Sequence, residues 1–338
     1  MSINLDNFPT FNEEHFHDWV NQLTPIEEYK GYRLKRDDQF NLGGVSGGKV
    51  RQCAKLVYDN LQHIKENCNG GILTAAGIPS PQSCITSAVA KYFGLKCIIT
   101  IPHYPDHIRD SYRINASLSQ KLGAKVYGVG NPNISGPELD AKKLVGETGY
   151  FQIKFGMNGF QVMNTVAQQV KNVPDDVETI VGIAGSGLSM LGVAMGCKIW
   201  NKNVKTIHPV ALSDYVNKNK KQSYDNLPDK YKFDGDFNVV QSYYPYQHKL
   251  KLDEEIQLDQ TYEAKAWDWM VKNIKPSKKV LFWDVGIKEY DLNYIEPIKW
   301  YKSEYETIID REMRRKDEQI VHIFFLGLVR KEDNVWFM

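Results

Sequence analysis

The chain reads as an α/β protein with open, mainly parallel sheets, and three observations say so. From residue 71 onward, short apolar runs alternate with single helical patterns, the rhythm of parallel strands joined by crossover helices. Several strands pass through a Gly- or Ser-rich turn straight into the next helix, and open parallel sheets bind ligands at such carboxyl ends. With 338 residues, 42% of them hydrophobic, the chain can bury the large core these sheets need, as one big domain or two moderate ones.

Taken in order, the glycine-rich stretch Gly43-Gly44-Val45-Ser46-Gly47-Gly48-Lys49-Val50-Arg51 precedes a helical pattern at about 52–64. Residues 71–75 read as a strand, 82–93 as a helix, 96–101 as a strand, 107–122 as a helix and 125–129 as a strand. A helix near 137–147, a strand at 150–153 and a helix at 159–171 follow. Next come a strand at 179–184, a helix at 188–200 and a strand at 204–210. Residues 212–250, rich in Lys, Asp, Asn and Tyr, break the rhythm and read as irregular structure in the place of a loop over a site. The alternation resumes with a helix at 262–273 and a strand at 279–284. The last fifty residues differ. A charged helical pattern at 297–315 carries Arg311, Arg314 and Arg315 and opens on Pro297, which suits a first helical position. An apolar strand at 320–328 follows, and the whole segment reads as a terminal appendage or an oligomer contact.

Composition excludes several classes. A formal net charge of +1 argues against a dedicated nucleic-acid binder. The longest apolar run, 320–329, is about half of what a membrane-spanning helix requires and contains His322. The first residues, Met1-Ser2-Ile3-Asn4-Leu5-Asp6, lack a basic region followed by an apolar core, so a cytoplasmic location is expected. Five scattered cysteines with no CxxC pair fit reduced thiols there. No metal site is expected: His103 and His107 have helical spacing, but Pro105 interrupts it and no acidic or thiol ligands cluster nearby.

Four stretches carry candidate chemistry. Lys49 sits behind four glycines at the entrance to a helix. Glycines let the backbone approach a ligand closely, and a lysine in a dry site loses its proton more readily and becomes a nucleophile able to form a Schiff base. The plain alternative is a flexible loop with a solvated cation. Gly185-Ser186-Gly187-Leu188-Ser189 lies between a strand and a helix, where backbone N–H groups bind phosphate. It also suits a dinucleotide loop, although the third glycine of GxGxxG falls late, at Gly192. In Thr74-Ala75-Ala76-Gly77-Ile78-Pro79-Ser80-Pro81-Gln82-Ser83, Ser80, Gln82 and Ser83 stand where a helix N-terminus holds a carboxylate, or where a serine simply caps it. In Asp259-Gln260-Thr261-Tyr262-Glu263, the glutamate either complements a helix dipole or faces a ring nitrogen.

In this order, over roughly residues 30–286, these stretches resemble the fold type II, tryptophan-synthase-β-like enzymes that use pyridoxal 5'-phosphate (PLP). The nearest subgroup is that of 1-aminocyclopropane-1-carboxylate (ACC) deaminase and D-cysteine desulfhydrase. Its Gly-Gly-Asn-Lys-x-Arg-Lys loop is matched by Gly47-Gly48-Lys49-Val50-Arg51, and its Gly-Gly-Ile-Gln-Ser-Asn-Gln stretch by Ala76-Gly77-Ile78-Pro79-Ser80-Pro81-Gln82. Lys96-Cys97-Ile98-Ile99, Asn115 and Leu122-Gly123-Ala124 follow in register, then Gly185–Ser189, Asp259–Lys265 and Lys279-Val280-Leu281-Phe282 through Gly286.

The resemblance implies a two-domain fold: a large PLP-binding domain of residues 1–49 and 159–286, a small inserted α/β domain of 50–158, and a C-terminal extension, 287–338. It implies that Lys49 holds PLP as an internal aldimine and shuttles the Cα proton, that Gly185, Ser186, Gly187, Leu188 and Ser189 bind the phosphate, and that Ser80, Gln82 and Ser83 grip the substrate carboxylate. Tyr262 and Tyr246 would stand near the substrate. Glu263 would keep the pyridine nitrogen protonated, as in ACC deaminases; desulfhydrase-like members carry a neutral hydroxyl residue there. The expected activity is a PLP-dependent lyase or deaminase that forms an external aldimine with a small amino acid and stabilises a Cα carbanion (quinonoid). Alternatives are a decarboxylase acting on the amino-acid moiety of a larger adduct such as a modified phage nucleotide, a PLP-binding protein with altered catalysis, and a dinucleotide-dependent enzyme using Gly185–Ser189. A modified base is the one nucleic-acid substrate expected, and a homodimer is the expected assembly. The chain departs from the pattern at Gly48, where the family has Asn, and at Pro81, where the family Asn contacts the cofactor's ring hydroxyl and proline offers neither amide nor N–H.

Overall fold

The computed structural model describes residues 5, 7–102, 114–129, 135–157, 159–213, 223–286 and 301–302. In chain order the helices are α1 (Glu13–Asn21), α2 (Gly48–Asp59), α3 (Leu61–Asn67), α4 (Gln82–Phe93), α5 (Ile114–Lys121), α6 (Ser135–Thr148), α7 (Phe160–Gln169), α8 (Leu188–Ile199) and α9 (Glu263–Asn273). The strands are β1 (Ile26–Tyr29), β2 (Tyr32–Arg36), β3 (Asn41–Leu42), β4 (Val45–Ser46), β5 (Gly71–Ala75), β6 (Lys96–Pro102) and β7 (Lys125–Val129). They continue with β8 (Phe151–Ile153), β9 (Thr179–Ala184), β10 (Thr206–Ala211), β11 (Asp236–Phe237), β12 (Val240–Gln241), β13 (Val280–Asp284) and β14 (Tyr301–Lys302).

Two sheets result. The larger runs β1-β2-β13-β9-β10-β11, with β12 also on β10; the smaller runs β14-β7-β6-β5-β8. Every pairing in both is parallel except β1 with β2. The mainly parallel α/β class read from the sequence is the class found, and the reason is visible in the strands. Residues 71–75 and 280–284 are buried along their whole length, so they are continuous apolar runs rather than alternating ones, as strands covered on both faces must be.

Several elements differ from the sequence reading. The helix expected from about residue 52 begins at Gly48, so Lys49 lies inside its first turn, and it ends at Asp59 before a separate α3. Gly47, at φ +115°, turns the chain into that helix, a conformation glycine adopts without penalty. The β1–β2 hairpin went unseen in the sequence. Its turn is Lys30-Gly31, both at positive φ, the type I′ geometry that suits two-residue hairpins. Residues 212–250 contain, among the described ones, the short strands β11 and β12 on the edge of the larger sheet. Within the helix expected at 297–315, Tyr301 and Lys302 instead pair with β7, because an edge strand of the smaller sheet offers backbone partners that charge periodicity cannot reveal. The rest of that segment, the strand at 320–328, the first residues of the helix expected at 107–122, His103 and His107 lie outside the described residues.

Helix α8 packs against α7 through its glycines. A Cβ on Gly192 would lie 2.6 Å from Val166 Cβ and 2.8 Å from the Met163 carbonyl oxygen; one on Gly196 would lie 2.7 Å from the Ala167 carbonyl oxygen. The late glycine of the loop-helix motif is therefore a helix-packing residue.

Candidate active site

Topology brings the site together. Strands β2, β13 and β9 are parallel neighbours, with Asp284 beside Arg36 and Trp283 beside Gly182. The chain leaving each strand therefore emerges at one edge: Asp37 after β2, Val285-Gly286 after β13 and Gly185–Ser189 after β9. Helix α2 joins that edge because the Gly48 N–H donates to the Val285 carbonyl at 3.3 Å. The result is a cleft of about 510 Å³, its open mouth included, lined by Lys49, Gly185, Ser186, Gly187, Ser189, Asp259, Tyr262, Glu263, Val285 and Gly286. Ile183 lines it too, and Pro81 and Ile85 of the α4 entrance give it an apolar wall.

The glycine loop has the geometry of an anion cradle. Gly187 is in the left-handed region, at φ +76°, and caps α8, so the first N–H groups of that helix lack intrahelical partners and face the loop. Gly185 passes close beneath Tyr262; a Cβ there would lie 3.0 Å from Tyr262 Cε1. Ser189 is buried and accepts a hydrogen bond from Gln52 Nε2 at 3.3 Å. Leu188 turns its side chain into the core, so it can offer only its backbone to a ligand. Ser186 packs against Gly156, where a Cβ would meet it at 2.8 Å.

Lys49 and Glu263 share this cleft with opposite tendencies. Burial pushes the Lys49 ammonium below its ordinary value, with the Glu263 charge opposing. Burial likewise pushes the Glu263 carboxyl well up, and the nearby Asp259 and Asp284 charges push it further. Desolvation therefore drives both groups towards neutrality. Glu263, 2% exposed, is packed from behind by Gly286, where a Cβ would sit 2.5 Å from Oε2. Tyr262 is the N-cap of α9, and Asp259 Oδ1 accepts from the Thr261 and Tyr262 N–H groups at 2.8 and 2.9 Å. The Tyr262 hydroxyl meets that of Tyr246 at 2.7 Å, so the irregular segment 243–246 touches the cleft-lining Tyr262 through Tyr246.

Beneath Lys49 lies a charged cluster built on Asp37, a residue that the motifs do not single out. Asp37, 1% exposed, accepts from Thr24 Oγ1 and Arg51 Nη1 at 2.9 Å each and from Trp283 Nε1 at 3.1 Å. Burial alone would raise its carboxyl, but the Arg51 and Lys35 charges win and hold it below the ordinary value. Arg51, 2% exposed, also stacks its guanidinium over Phe40 at 4.1 Å. This cluster explains Gly48: a Cβ there would lie 2.7 Å from Asp37 Oδ2. An Asp-Asp pair in a short turn reads as surface in sequence, so only packing could reveal Asp37.

The α4 residues are arranged differently from one another. Gln82 donates through Nε2 to Thr74 Oγ1 at 2.7 Å and to the Lys154 carbonyl at 3.0 Å, and its Oε1 accepts from the Gly156 N–H at 2.7 Å. Its amide thus braces the 154–156 turn from beside the cleft. Ser80 Oγ accepts from the Gln82 N–H at 3.3 Å, and Ser83 Oγ donates to the Ser80 carbonyl at 3.3 Å.

No family model matches the chain. It is 22% identical over 237 residues to the O-seryl-dTMP PLP-dependent decarboxylase of Salmonella phage ViI, covering 61% of this chain and 54% of that one. It is 27% identical over 131 residues to the ACC deaminase of Burkholderia multivorans, covering 37% of each. The chain thus spans about half, or less, of the length of the curated relatives it matches. Among solved structures it is similar to an ACC deaminase homologue, with a TM-score of 0.64 at 19% identity, covering 83% of this chain and 93% of that one. These homologues and structural neighbours are fold type II PLP-dependent enzymes, the family that the motifs resemble, and the fold of this chain is theirs.

Proposed function

We propose that this chain binds PLP covalently at Lys49 and uses it to break a bond at the α-carbon of an amino-acid substrate. One observation carries the reading: an amine, an anion cradle and a buried acid, separated by up to 214 residues in sequence (263 minus 49), line one cleft. That donor set fits a phosphorylated pyridine aldehyde. Bound PLP supplies an aldehyde that links to amines and a ring that draws electron density from the α-carbon.

The chain's own residues supply the rest. Desolvation favours the free amine of Lys49, the form that is nucleophilic and that can take a proton from the substrate and return it. The N–H groups at the start of α8, with Ser186 and Ser189, hold the phosphate. Glu263 holds a proton at the ring-nitrogen position, where its contact with Gly286 fixes its direction. Ser80, whose hydroxyl proton is not spent on its bond with Gln82, is assigned to the substrate carboxylate; Ser83 and the braced amide of Gln82 shape the turn that presents it. Pro81 and Ile85 leave the α4 wall without hydrogen-bond donors. The two large sheets correspond, in this reading, to a large domain of residues 1–49 and 159–286 and a smaller inserted one of 50–158, to whose sheet the extension 287–338 adds β14.

The reaction class is a lyase or deaminase acting on a small amino acid. A decarboxylase acting on an amino-acid adduct is the second reading, and the similarity to the phage O-seryl-dTMP decarboxylase over 61% of this chain favours it. The test is reconstitution with PLP and a visible absorption spectrum, followed by addition of D- and L-amino acids, ACC and O-aminoacyl nucleotides with assays for ammonia and carbon dioxide. Wild type is expected to hold a band that survives desalting, and Lys49→Ala to lose it. A wild-type protein that stays colourless after reconstitution refutes the proposal.

A further inference from the structure

Lys265 is a buried cation without an assigned role. It lies on α9, three residues after Tyr262, and its relative exposure is 0%. Its ammonium donates to the Pro245 carbonyl at 2.8 Å and the Tyr246 carbonyl at 3.0 Å. Burying a charge is costly unless its protons are well used, and here two of the three go to adjacent carbonyls of a segment with no regular structure. Tyr246 is thereby held at both ends by one helix face: its carbonyl by Lys265, its hydroxyl by Tyr262 at 2.7 Å. The two rings meet edge to face at 5.8 Å, and Tyr262 lines the cleft.

We propose that Lys265 is a positioning residue that clamps segment 243–246 onto α9 and so sets the Tyr246–Tyr262 hydroxyl pair at the edge of the cleft. That this pair serves a reaction rests on the PLP reading; the clamp itself does not. Burial lowers the Lys265 amine to about 8, with the Asp259 charge opposing. At the same end of α9, burial pushes the Tyr262 hydroxyl and the Glu263 carboxyl well up, towards their neutral forms. Because the clamped amine binds its proton less readily than a solvated one, linkage strengthens the clamp as pH rises through about 8.

The test is hydrogen exchange of the full chain, with and without added PLP, corrected for intrinsic rates across pH 6.5–9. Wild type is expected to gain protection in 242–248 as pH rises through about 8. Lys265→Met is expected to exchange there about tenfold faster or more at pH 7, with no pH step, since it leaves the Pro245 and Tyr246 carbonyls without their donor. Lys265→Arg, cationic throughout, is expected to restore protection and abolish the step. Protection of 242–248 in Lys265→Met equal to wild type overturns the proposal. So does a loss spread equally over β9 and β13, which would make Lys265 a general support of the fold. A colourless protein that still shows the step would sink the cofactor reading and leave the clamp standing.

Discussion

Substituting Gly48 by alanine tests the packing beneath Lys49, because ordinary helix energetics predict the opposite sign. Gly48 lies in a helix and is not at positive φ. Replacing glycine by alanine in a helix interior usually stabilises by about 0.5–1 kcal/mol, and somewhat less is expected in a first turn. Here the added Cβ would lie 2.7 Å from Asp37 Oδ2 and 3.1 Å from its Cγ. The carboxylate cannot simply swing away, since Thr24, Arg51 and Trp283 hold it. Helix α2 cannot easily withdraw either, because Gly48 N–H is bonded to Val285. Losing one charge-assisted hydrogen bond removes about 1.5–3 kcal/mol, so a net destabilisation of about 1–2.5 kcal/mol remains after the helix gain. Urea unfolding of the two proteins at pH 7 measures it. The same displacement shifts Lys49, one residue on, so the Lys49-dependent visible band should weaken at limiting PLP. Stability equal to or above wild type would refute the reasoning, since it would mean that Asp37 moves freely.

Three further outcomes follow from the same contacts. Asp37→Asn keeps the shape but leaves Arg51 as an uncompensated buried cation, and should lower stability by about 3–5 kcal/mol at pH 7. The folded chain holds the Asp37 carboxyl below its ordinary value of 3.8, so it takes up that proton less readily than the unfolded chain. The Asp37 contribution is thus complete above about pH 4 and lost as pH falls through the folded value; the gap between wild type and Asp37→Asn, measured by acid titration of unfolding, should close in that direction. Gly192→Ala should destabilise by about 1–3 kcal/mol in thermal or urea melts, because the new methyl meets the Met163 carbonyl and Val166 across the α7–α8 contact and a packed core has no room for it. Gly286→Ala should press on the Glu263 carboxyl and alter the visible spectrum of the PLP-loaded protein more than it alters the melting point, since the three atoms nearest its Cβ all belong to Glu263.

The sequence by itself determined the class of fold and pointed to several groups that line the cleft. Strands such as 71–75 and 179–184 are written as local apolar runs ended by turn residues, and Gly185–Ser189 is written as a strand-to-helix loop. These are short-range features, so one chain suffices to read them. What tertiary structure decided are the relations between distant residues. That Lys49, Ser189 and Glu263 share one cleft follows from β2, β13 and β9 being parallel neighbours, and strand order is not a local property. That Gly48 must be glycine follows from Asp37, eleven residues earlier (48 minus 37), being buried against it. That Gln82 braces a turn rather than lining the cleft follows from Thr74, Lys154 and Gly156 reaching its amide first. Lys265 shows the same limit. In sequence it is one more lysine on a helix, and only its complete burial, with two carbonyls in reach, makes it a clamp. Periodicity records which face of an element is apolar; it does not record which buried charge sits opposite.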